Sequence, residues 1–73
     1  MNTDGTVIMW KADEDMGFIR AHDGRKYHFT RRNWASKGYE PREGLIVTFE
    51  LSGTVPLSIK IVGMLPDPNT WKM

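Results

Sequence analysis

Cysteine is missing from this chain of 73 residues, and its absence removes several classes of protein at once. No disulfide framework, thiolate zinc site or thiol nucleophile can be built. Net charge is nearly missing too: ten Lys and Arg against nine Asp and Glu leave +1 at pH 7, so the field of the whole molecule singles out no partner. No apolar run approaches the roughly 18 residues of a membrane span, and the first residues lack the basic and apolar regions of a signal peptide. The expectation is a soluble cytoplasmic monomer with no membrane contact. Sustained helical periodicity, internal repeats and low-complexity stretches are absent as well. A chain this short makes one domain, residues 1–73, and buries only about 60% of the surface its unfolded form exposes. Packing and hydrogen bonds must hold it without covalent help.

What is present is a series of short β-rich segments separated by turn residues. Thr6 to Trp10 is apolar and stops in the polar stretch KADED, which reads as a strand and a loop. Met16 to Arg20 and Lys26 to Phe29 read as two more strands. Ala-His-Asp-Gly between them forms a hairpin turn in which Gly24 is free to take positive φ. Residues 30–43 show no period of either kind and read as a long connection, with one helical turn begun by Thr30 or Asn33. In the strand that follows, Leu45, Val47, Phe49 and Leu51 share one face. Ser52 to Thr54 turns the chain into a last strand from Val55 to Val62, with Leu57, Ile59 and Ile61 on one side. Pro56 cannot donate to a ladder and belongs at a strand start or on an edge. Short strands with turns between them indicate an all-β fold, and closure into a small barrel would remove the edges of so small a sheet. Trp71, in the tail 63–73, reads as a cap on an open barrel end if it docks.

The side-chain alternation poses a chemical question. Val7, Ile19 and Tyr27 share an inward face across the first three strands, which turns Phe18 outward together with Lys26 and His28. Rings, cations and a histidine on one face suit a docking surface better than a core or an ordinary solvated surface. The basic residues Arg20, Arg25, Lys26, Arg31, Arg32 and Lys37 fall in one central stretch, just after the acidic run Asp13, Glu14 and Asp15. Arg31, Arg32 and Lys37 flank Trp34, an interleaving that suits nucleic acid. Met9 and Trp10 are consecutive, so one faces out unless a bulge shares them between faces.

Residues 5–19, GTVIMWKADEDMGFI, resemble the cold-shock domain pattern G-T-V-K-W-F-N-x-x-K-G-F-G-F-I without a gap, through Gly5, Thr6, Val7, Ala12, Gly17, Phe18 and Ile19. His28 and Phe29 match the end of that family's V-F-V-H-F. Gly38 and Tyr39 resemble its Gly-aromatic loop, Glu43, Gly44, Val47 and Phe49 its E-G-x-x-V-x-F strand, and Pro56 with Ile61 its final strand. The likeness covers about residues 5–62. It implies a five-stranded antiparallel OB-fold barrel that binds single-stranded RNA or DNA on the aromatic face of strands one to three. By this likeness Trp10, Phe18, His28, Phe29 and Tyr39 would stack bases, and Lys11, Arg20, Lys26 and Lys60 would neutralise phosphates; the interleaved connection adds Trp34 to the first group and Arg31 and Arg32 to the second.

This sequence departs from the family pattern at binding positions. Met9 replaces the first stacking Trp, Met16 the first Phe of the glycine-rich strand, and Lys26 the Phe before V-H-F. Glu14 and Asp15 stand where the family has Lys-Gly. With each stacked base contributing about 1–3 kcal/mol, losing about three rings predicts weak binding of low sequence specificity. The alternative is an OB module that contacts a protein through Met9, Met16, Phe18 and Trp34, because methionine makes an adaptable apolar contact. An RNA-recognition motif shares the Gly-Phe feature, but nothing here supplies its two helices. No nucleophile motif, phosphate-cradling glycine loop or partnered histidine is visible, and His22 is the one other imidazole that could join His28 on a metal. Neither an enzyme nor a cofactor is expected.

Overall fold

The alternating segments become strands, most of them longer than the pattern alone requires. In the structure, a computed structural model that describes residues 2–64, β1 (Asn2–Lys11), β2 (Met16–Ala21) and β3 (Lys26–Thr30) are followed by a single 3₁₀ turn (Arg31–Asn33). Then come β4 (Leu45–Ser52) and β5 (Val55–Met64). All ladders are antiparallel, in the order β3-β2-β1-β4-β5. The hairpin between β2 and β3 is closed by the Ala21 N–H on the Arg25 carbonyl (2.7 Å) and the Gly24 N–H on the Ala21 carbonyl (2.9 Å). Gly24 takes φ +92° there, a conformation open to glycine and strained for most other residues. The 3₁₀ turn starts at Thr30, whose N–H donates to Asn33 Oδ1 at 2.9 Å.

One face of this sheet makes the core. Val7, Ile19 and Tyr27 lie directly opposite one another across β1, β2 and β3 and are buried. Leu45, Val47 and Phe49 of β4 join them, with Phe29 and Ile59. Tyr27 meets Phe49 edge-on, ring centroids 6.1 Å apart. Gly17 is required for close approach: a Cβ there would collide with the Met9 carbonyl and come within 2.9 Å of the Trp10 ring.

Two of the three register shifts in the ladders bear on which side chains face in. The β1–β2 register slips between Val7 and Met9, leaving Ile8 as an extra residue. A bulge of this kind inverts the alternation beyond it, so Val7 and Trp10 both turn inward while Met9 and Lys11 turn outward. In β5 the slip lies opposite Phe49, where Ser58 takes φ +52°. Pro56 and Ile59 are therefore inward and buried, and Leu57 is exposed. The expected inward trio Leu57, Ile59 and Ile61 is corrected at its first member for that reason. Pro56 sits near the start of the edge strand, as its missing N–H requires.

No ladder joins the outermost strands β3 and β5, so the sheet is not closed by strand pairing. The segment after the 3₁₀ turn spans the gap. Trp34 forms an isolated parallel bridge with Ile59, the Ala35 N–H donates to the Ile59 carbonyl at 2.7 Å, and the Ile61 N–H donates to Ser36 Oγ at 2.8 Å. Gly63 and Met64, expected in the tail, belong to β5; Trp71 lies outside the described residues. Among the described residues no helix is long and apolar enough to cross a membrane.

Candidate functional site

The outward face of β1, β2 and β3 carries three cross-strand rows. Thr6, Arg20 and Lys26 form the first, Met9, Phe18 and His28 the second, and Lys11, Met16 and Thr30 the third. The bulge at Ile8 aligns them, because it brings Met9 rather than Ile8 opposite Phe18. Phe18 is half-buried and His28 exposed, and the two rings meet edge-on with centroids 5.4 Å apart. Met9 and Met16 are half-buried beside them. The centre of the patch is an apolar and aromatic ridge with one face open to solvent.

Charge on this patch is arranged against stability. Arg20 and Lys26 stand directly opposite each other, and like charges in that position are destabilising by a fraction of a kcal/mol to about 1 kcal/mol. Neither forms an ion pair among the described residues. Arg25, at the hairpin tip, has only a loose 3.8 Å contact with Asp23, both side chains being well exposed. An open concavity of about 530 Å³ between β3 and the β4–β5 turn is lined by Arg25, Lys26, Tyr27 and His28 together with Gly53 and Thr54. Arg25 was not among the residues expected to contact phosphate; its adjacency to Lys26 in the sequence was the available signal.

The other end of the patch is electrostatically closed. Arg31 Nε donates to Asp15 Oδ1 at 2.9 Å, while its terminal nitrogens grip both oxygens of Glu40 at 2.7 and 3.0 Å. Bidentate pairs of this geometry are among the stronger hydrogen bonds. The hydrogen bonds it donates to Glu40 and then to Asp15 raise the guanidinium above its ordinary pKa, and Arg31 in turn holds the Glu40 carboxyl below its ordinary value. The Arg31 guanidinium carbon also stands 5.5 Å from the centroid of the Trp10 ring, within cation–π range. Arg31 is thus a structural clamp between the β1–β2 turn and the β3–β4 connection, which corrects its reading as a free phosphate contact.

Further expected contacts are corrected by burial and position. Phe29 is fully buried: alternation in β3 sends Tyr27 and Phe29 inward and Lys26 and His28 outward, so Phe29 cannot present a face to a base. It is the middle ring of a stack, 5.4 Å from Trp10 and 6.0 Å from Trp34. Trp10 is half-buried against it, and its Nε1 has no hydrogen-bond partner among the described residues. Trp34, also half-buried, donates from Nε1 to the Tyr39 carbonyl at 2.8 Å, and it anchors the segment that spans the open side of the sheet. Tyr39 is 69% exposed and belongs to the β3–β4 connection rather than to the three rows. Lys60 pairs with Thr48 and lines a separate concavity with Asn2, Thr48 and Glu50, outside the three rows. Arg32 is exposed and shares a concavity with Glu14 and Asp15. Lys11 is within 3.8 Å of Glu14. Among the described residues no group of three His, Cys, Asp or Glu side chains could hold a metal ion.

No protein-family model, curated protein or solved structure matches this chain. The functional reading therefore stands on the three rows and their chemistry.

Proposed function

We propose that the chain binds single-stranded RNA or DNA on the outward face of β1–β3, weakly and with little base preference. The observation that carries this reading is the exposed Arg20–Lys26 pair beside the Met9–Phe18–His28 row. Two unpaired cations held opposite one another, next to a solvent-facing ring, fit a ligand that brings both negative charge and flat apolar surface. Single-stranded nucleic acid combines phosphates with unstacked bases. In this reading Phe18 and His28 receive a base, Met9 and Met16 flank it, and Arg20 and Lys26, with Arg25, neutralise phosphate. The chain acts by binding, as a cytoplasmic module without catalysis or cofactor.

The same reading favours a cold-shock type of domain with OB-type strand order, in which the Trp34–Ser36 segment takes the place of a closing ladder. Two observations support it: five antiparallel strands along the likeness at residues 5–62, and the left-handed backbone at Asp15 (φ +51°), where the family pattern has glycine. A contact with protein through Met9, Met16, Phe18 and Trp34 is less well supported, because Trp34 is turned into the Phe29 stack and leaves that group.

Titration of labelled oligo(dT) and oligo(U) followed by anisotropy tests the proposal. Binding is expected at low salt, weakening by about 0.7 log units per log of salt for each phosphate neutralised. Absence of binding to both oligonucleotides at low salt would sink it.

A further inference from the structure

Resting on the nucleic-acid reading, we infer that the site is short and closed at one end: it holds about two or three nucleotides with their phosphates toward the β2–β3 hairpin tip. The acidic end of the patch turns the strand away. Three observations converge on this. The first is size. From Met16 to Arg20, the length of the patch along β2, is four residue steps, about 13 Å at about 3.3 Å per step. Three strands give a width of about 10 Å. A strand whose bases lie on protein rings, rather than on each other, takes up more than the roughly 3.4 Å per nucleotide of a stacked strand. Two or three nucleotides therefore cover the rows in either direction.

The second observation is the sign of the charge at each end. Around the hairpin tip Arg20, Arg25 and Lys26 outnumber Asp4 and Asp23. Around the β1–β2 turn Asp13, Glu14, Asp15 and Glu40 outnumber Lys11, Arg31 and Arg32. The third is that the best-placed cation at the acidic end, Arg31, is already engaged, and that the others there lie beside carboxylates. Arg31 is held by two carboxylates, Lys11 lies beside Glu14, and a phosphate reaching Arg32 would share its concavity with Glu14 and Asp15. A base reaching Trp10 would meet the Arg31 guanidinium over the ring. A strand extended past Met16 thus finds Arg31 occupied and Lys11 and Arg32 each beside acidic side chains, while one extended past Lys26 runs into the concavity lined by Arg25 and His28. Single OB folds hold about 4–16 nucleotides; this one is set below that range by Asp15 and Glu40.

The test is a length series of labelled oligo(dT), from two to eight nucleotides, measured by anisotropy at several salt concentrations. Affinity is expected to level off at about three nucleotides, apart from the statistical gain of longer chains. The salt slope should be about 1.4, the value for two phosphates on a single strand. The double variant Asp15→Asn with Glu40→Gln frees Arg31 without demanding a new backbone, since asparagine tolerates the left-handed region as aspartate does. It should move the plateau to longer oligonucleotides and raise the slope toward about 2.1, one phosphate more. A thermal melt of the variant confirms that it is folded at the temperature of measurement. Wild-type affinity that keeps rising through six or eight nucleotides with a slope above about 3 would overturn the short site while leaving nucleic-acid binding intact. A folded double variant whose plateau and slope are unchanged would overturn the role of Asp15 and Glu40. Absence of binding at every length would overturn the underlying reading and this inference with it.

Discussion

Phe18 and Phe29 lie on the adjacent strands β2 and β3, and opposite burial gives them opposite roles. Phe18 is half-exposed at the centre of the outward rows, whereas Phe29 is fully buried between Trp10 and Trp34. Truncating a buried Phe to Ala typically costs about 3–5 kcal/mol, much of the total stability of a domain this small. Phe29→Ala is therefore expected to be largely unfolded by circular dichroism. Phe18→Ala should stay folded and lose about 1–3 kcal/mol of oligonucleotide affinity, the usual worth of one stacked base. A folded Phe18→Ala with wild-type affinity would remove Phe18 from the site. Gly17→Val should also unfold the domain, because its branched side chain would have to occupy space held by the Met9 carbonyl and the Trp10 ring. The residue-scale lesson is that alternation in β3 already separated Phe29 from His28. Its place as a stacking ring came from the family likeness, in which the two residues are adjacent, and adjacency on a strand means opposite faces.

At the scale of the element, the bulges decide what a face contains. Strict alternation along β1 would put Val7 and Met9 on one side; the extra residue Ile8 sends Val7 and Trp10 inward instead. Deleting Ile8 is expected to restore continuous pairing in the existing register, with Met9 still outward opposite Phe18 and Trp10 still inward opposite Gly17, so the shortened chain should stay folded with tryptophan emission unchanged. Emission shifted to the red would mean that the register beyond Val7 slips and that Ile8 is needed to hold Trp10 inward. Ser58 offers a gain instead: its left-handed φ of +52° is costly for an L-residue by about 1–2 kcal/mol and open to glycine. The greater freedom of glycine in the unfolded chain offsets about 0.5–1 kcal/mol of that. Ser58→Gly should therefore gain up to about 1 kcal/mol in a denaturant melt, and a loss would show that its side chain matters to the bulge. Most of the strands were legible because their period of two is local. The Val7–Ile19–Tyr27 layer, the 3₁₀ turn after Thr30 and the Gly24 turn all follow from such short-range signals. Leu57 was misplaced because a bulge shifts phase without leaving a mark in residue type. The Trp34–Ser36 span and the Arg31 clamp were not legible at all, since they join segments far apart in sequence.

For the whole molecule, the Arg31 clamp links stability to pH in a defined direction. It ties the β1–β2 turn to the β3–β4 connection, with the Arg31 N–H also donating to the Asp15 carbonyl at 3.1 Å, and thereby helps position the segment that spans β3 and β5. Glu40 is held below its ordinary value of 4.5 by its hydrogen bonds from Arg31. A carboxyl whose folded value is depressed binds protons more readily in the unfolded chain, so its contribution is fully present above about 4.5 and fades as pH falls through the lower, folded value. Glu40→Gln should therefore be less stable than wild type near neutral pH, by a small amount because the pair is exposed. The two melting curves should converge as the solution is acidified below pH 4.5. Salt should shrink the neutral-pH difference as well, since an exposed pair is screened. If the difference persisted unchanged in acid, the clamp would owe its effect to packing of the Glu40 side chain rather than to its charge.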